Sequence, residues 1–69
     1  MTQKELSYIE DAIGHEQTII TVVSDTMSRL EDEQLKSFME GEIDNHTSIK
    51  ENLMNLLEEK ANEWSSFNG

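Results

Sequence analysis

The chain has 69 residues, with 15 acidic and 5 basic side chains for a net charge of -10, and it contains neither cysteine nor proline. Disulfides and thiolate metal sites are thereby excluded, and the scarcity of Lys and Arg argues against nucleic acid and anionic membranes as partners. A core of this size seldom supplies more than about 3–5 kcal/mol, so a single domain supported by a partner chain is expected.

From the N-terminus, Met1-Thr2-Gln3-Lys4-Glu5 is too polar for a signal peptide, and no apolar run approaches the roughly 20 residues of a membrane span. Thr2-Gln3-Lys4-Glu5 fits a capping box, in which the Thr2 hydroxyl and the Glu5 carboxylate each satisfy a free amide. Beyond it, Leu6, Ile9, Ile13, Ile20, Val23, Met27 and Leu30 recur in steps of three and four around a gap at position 16. That is the spacing of a helix laid against another helix. A first helix is expected over about 3–30.

The acidic run Glu31-Asp32-Glu33 interrupts the phase, because five residues separate Leu30 from Leu35 where a continuous heptad needs three or four. Asp32 suits an N-cap, and acids suit a helix N-terminus electrostatically. A tight turn at about 31–33 and a second helix over about 33–62 follow, packed antiparallel on the first. One long helix with a skip residue is the competing arrangement, since no Gly or Pro enforces the turn. The second stripe reads Leu35, Met39, Glu42, His46, Ile49, Leu53 and Leu56, widened by Phe38, Ile43, Met54 and Leu57. From 63 to 69 the pattern is lost and a frayed tail is expected, with Trp64 placed to cap the hairpin end near Tyr8.

Two helices bury one seam and leave the outer half of each stripe uncovered. Two hairpins related by a twofold axis would share a core, so the fold class expected is an all-α antiparallel helical hairpin dimerising into a four-helix bundle.

Three polar residues fall on the apolar seam. Glu16 occupies a core step of the first helix, and Glu42 and His46 occupy consecutive core steps of the second, four apart and on one face. With Leu30 opposite Leu35, Glu16 lies about 4.5 Å of helix rise from the level of His46 and about 10 Å from that of Glu42. On this arithmetic Glu16 and His46 are within reach of one another, and Glu42 sits one to two turns further toward the loop. A carboxylate leaving water needs a partner. The partner is another member of a Glu–His layer that fixes register, solvent reached by long side chains, or a metal ion. For a metal, Glu16, Glu42 and His46 are the candidate ligands, and iron, manganese or zinc the candidate ions, because oxygen and imidazole donors suit them.

At these residues the chain resembles the small ferritin-like helical proteins related to bacterial spore coat protein F. The likeness is carried by Lys4-Glu5-Leu6-Ser7-Tyr8-Ile9-Glu10-Asp11-Ala12-Ile13-Gly14-His15-Glu16-Gln17, by Glu33-Gln34-Leu35-Lys36-Ser37-Phe38 and by Ile43-Asp44-Asn45-His46, and it runs from Lys4 to about Leu57. Ferritin-like proteins carry a Glu on one helix and Glu-x-x-His on the next. Glu16 and His46 stand where the first Glu and the His would fall, but the residue three before His46 is Ile43, and the acid is displaced to Glu42. The resemblance implies a ferritin-like bundle from a spore-forming bacterium, either a coat-associated structural protein or a cellular relative, hence a spore-associated or cytoplasmic location.

The remaining features have simple expectations. His15 points about 100° away from Glu16 and is expected in solvent. Gly14 and Gly41, opposite Glu51 and Ser24 on the facing rule, mark either a close approach of the helices or tolerated exposed glycines. No nucleophile elbow and no Gly-rich phosphate loop is present, and an enzyme is not expected. The functional expectation is a small structural or interaction protein working as a homodimer. A metal-binding bundle is the alternative, and a regulatory hairpin docking a protein partner through its acidic face is a weaker one.

Overall fold

The computed structural model describes the backbone of residues 1–68 and the side chains of residues 1–63. Two helices make up the chain: α1 (Gln3–Ser28) and α2 (Glu33–Asn68), with no strand among the described residues. They pack side by side as a hairpin with Cα extents of 54 × 16 × 12 Å.

Each helix begins at the cap its sequence encodes. The Glu5 amide donates to Thr2 Oγ1 at 3.0 Å, and the Thr2 amide donates to Glu5 Oε1 at 2.8 Å, closing the capping box. These hydrogen bonds from the Thr2 backbone and side chain favour the ionised form and hold the Glu5 carboxyl below its ordinary range. At α2 the Leu35 amide donates to Asp32 Oδ1 at 2.8 Å, so Asp32 is the N-cap. α1 ends at Ser28, two residues before Leu30. The Arg29 and Leu30 amides turn back to the carbonyls of Thr26 and Met27, tightening the last turn. Residues 29–32 then reverse the chain without any positive φ, which is why neither Gly nor Pro is needed. The hairpin, and not one long helix, is the structure. At the other end α2 stays helical through Asn68, past the expected end near 62. The expected Trp64 cap falls outside the described side chains.

The seam of α1 is the expected one: Leu6, Ile9, Ile13, Glu16, Ile20, Val23, Met27 and Leu30 are all half-buried. On α2 the contact line is rotated from the expected one. Met39, Ile43, His46, Leu53 and Leu57 lie in the seam, whereas Leu35, Ile49 and Leu56 remain 50%, 37% and 43% exposed. The apolar stripe of α2 is wider than one partner helix can cover, and α1 takes only one edge of it. Among the described residues no side chain is fully buried.

Candidate functional site: a Glu–His–Glu relay beside an uncharged face

The backbone brings the three seam-breaking residues together. Nδ1 of His46 donates to Oε2 of Glu16 at 2.5 Å across the seam. Nε2 of the same ring lies 3.7 Å from Oε2 of Glu42, one turn earlier on α2. That distance is too long for a hydrogen bond but close enough for an ion pair when the ring is charged. Glu16 and His46 are 17% and 22% exposed and Glu42 is 40% exposed, so the relay runs from the seam outward. Among the described residues no group of three or more His, Cys, Asp or Glu side chains is arranged to hold a metal ion. One chain presents Glu16 and His46 as a hydrogen-bonded pair, with Glu42 beside the outer nitrogen of the ring.

A second polar bridge crosses the seam one turn further on, where Lys50 Nζ donates to Gln17 Oε1 at 2.5 Å. Sequence reasoning missed it. The available signal was that Lys50 lies one turn beyond His46 on the same face of α2, so its long side chain can reach back to Gln17 beside Glu16. The glycines take the plain option. An added Cβ at Gly14 or Gly41 would meet nothing within 4 Å, so neither marks a close approach of the helices.

The larger feature is the face onto which Glu42 opens. At 3.6 residues per turn, Tyr8, Ala12, His15, Ile19, Val22 and Thr26 form one stripe along α1. Leu35, Phe38, Glu42, Asn45, Ile49, Asn52 and Leu56 form another along α2. Both stripes lie roughly 90° from the seam in the same rotational sense, which in an antiparallel pair places them on one side of the hairpin. At the open end a groove of about 260 Å³, lined by Met1, Glu5, Ile9, Leu56, Lys60 and Glu63, joins the two helices on that side. Tyr8 and Phe38 are 62% exposed and Val22 57%. Between residues 8 and 56 Glu42 is the single acidic residue on these two stripes, while Glu5, Lys60 and Glu63 bring charge to the open end of the same side. Glu33, Glu40, Asp44, Glu51 and Glu58 line up, exposed, on nearly the opposite side of α2.

No family model, no curated protein and no solved structure matches the chain. No helix among the described residues is long and apolar enough to cross a membrane.

Proposed function

We propose that the protein is a non-enzymatic structural or interaction protein that works as a homodimeric four-helix bundle, ferritin-like in form, with Glu16, His46 and Glu42 as its polar layer. The observation that carries this reading is the set of exposed apolar side chains on one side of the hairpin, Tyr8, Ile19 and Val22 on α1 and Leu35, Phe38, Ile49 and Leu56 on α2. In a chain of net charge -10, two copies approach at least electrostatic cost through the side that carries the fewest charges. The resemblance to spore-coat-related helical proteins agrees with a structural role, at a coat or in the cell.

Sedimentation equilibrium tests it: the wild type should run at twice the 7.9 kDa chain mass, and Val22→Asp with Phe38→Asp should return it to one. A wild type that stays monomeric at high micromolar concentration would refute the reading. A metal centre of iron, manganese or zinc on Glu16, Glu42 and His46 is the alternative; among the described residues of one chain no three such side chains are grouped to hold an ion, so it would draw ligands from both copies. The outer acidic stripe of α2 would face away from the second copy, which leaves it free for a basic partner.

A further inference from the structure

We infer that residues 18–23, helical in the hairpin, are a second self-association site that joins copies of the chain as stacked strands once α1 lifts from α2. Thr18-Ile19-Ile20-Thr21-Val22-Val23 places six β-branched residues in succession, whereas no other two are neighbours in the chain. Residues 17–24 are also its longest uncharged run. β-Branched side chains lose χ1 freedom in a helix and pack well on a pleated strand. Six residues of high β-propensity, without charge, Pro or Gly, have the composition that stacks into dry, interdigitated sheets.

The hairpin covers this segment poorly. Ile20 and Val23 are half-buried in the seam, but Thr18 and Thr21 are exposed, and Ile19 and Val22 are 36% and 57% exposed. Both hydroxyls bond back along their own helix, Thr18 Oγ1 donating to the Gly14 carbonyl at 3.1 Å and Thr21 Oγ1 to that of Gln17 at 3.0 Å. Such bonds weaken a helix slightly. The helical state of the segment therefore leans on the packing of two side chains against α2, and local opening of so thinly covered a helix costs little. In a strand, Thr18, Ile20 and Val22 point to one face and Ile19, Thr21 and Val23 to the other. Stacking then covers all six and pairs every backbone group with the copies above and below. Glu16 and Asp25 bound the run, and rows of like charge at its ends oppose stacking while α1 is in place. This association differs from a homodimer of folded hairpins, which would cover Ile19 and Val22 and oppose the conversion.

The test uses the full chain, agitated at each variant's own urea midpoint so that folded fractions match, with salt added to screen the net charge. Wild type should form fibrils, read by thioflavin T fluorescence and by fibre reflections at about 4.7 and 10 Å. Their protease-resistant core, identified by mass spectrometry, should contain residues 18–23. Thr18→Lys with Thr21→Lys, at exposed positions off the seam, should lengthen the lag about tenfold or more, even though it lowers the net negative charge. Thr18→Val with Thr21→Val should shorten the lag. A wild type that forms no fibrils, a Lys pair as fast as wild type, a Val pair no faster, or a resistant core without residues 18–23 would overturn the inference. Each of these outcomes leaves the homodimer to be judged separately, by sedimentation of the folded protein.

Discussion

Nδ1 of His46 and Oε2 of Glu16, thirty residues apart in the chain, meet at 2.5 Å inside the seam. This contact ties the two helices together at one level, and removing either side strands the other. His46→Ala should lower stability by about 1–2 kcal/mol, because Glu16 then sits on a half-buried line with no partner. Glu16→Leu should cost less or stabilise, since an apolar side chain suits that step of the seam. Urea unfolding measures both.

The same variants separate architecture from metal binding. On the reading proposed here, the losses are identical in chelator and in added Fe(II), Mn(II) or Zn(II), and the wild-type melting temperature does not follow the metal. A filled site at about 100 times its dissociation constant would add roughly 2.7 kcal/mol, an increase of several degrees that Glu16→Ala would abolish. Such a rise would reassign the relay to a metal centre shared between copies.

Gly14→Ala and Gly41→Ala should each raise stability by about 0.5–1 kcal/mol. Both positions are helical, neither has positive φ, and an added methyl meets open space. Thermal melts of the two singles and the double should show additive gains. A loss at either position would mean that the face around it is covered in solution.

Asp32→Ala should cost about 1 kcal/mol by releasing the Leu35 amide, while Asp32→Asn should retain most of the stability. Hydrogen exchange at the first turn of α2 is the local readout, and it should quicken in the Ala variant before the rest of the helix does.

Acid should act through the other cap. The Glu5 carboxyl is held below its ordinary value by the Thr2 backbone and hydroxyl. A carboxyl lowered in the folded state stabilises above its unfolded value near 4.5, and that contribution is lost as pH falls through the lowered value. Glu5→Gln keeps the hydrogen bonds but not the charge. The gap between wild type and this variant should therefore be open at neutral pH and close as the solution is acidified below 4.5. A gap that widens in acid would contradict the assignment.

Much of this was readable in the chain. The capping box at Thr2 and Glu5, the N-cap at Asp32 and the meeting of Glu16 with His46 are all local or follow from one facing rule, so spacing sufficed. The rotation of α2 was not readable. Leu35, Ile49 and Leu56 fit the heptad as well as Ile43 and Leu57 do, and only three-dimensional packing decides which edge of a wide stripe a single partner takes. The Lys50–Gln17 bridge escaped because Lys on a half-apolar helix ordinarily signals solvent. The continued helix beyond residue 62 escaped for a different reason: it has no apolar period to announce it, while nothing in its sequence stops a helix either.

Among the described residues of the single hairpin no side chain is fully enclosed, which has a consequence for how this sequence tolerates change. When a seam residue is shortened, water or a neighbouring side chain can enter from the flank, so no sealed void forms. The penalty then approaches the transfer cost of the deleted atoms alone, without the added cavity contribution that makes interior positions of larger proteins so intolerant. Shape in such a chain is held by the order of apolar and polar positions more than by the identity of any one of them. A substitution that keeps the apolar or polar character of a seam position should therefore leave the outline of the hairpin unchanged.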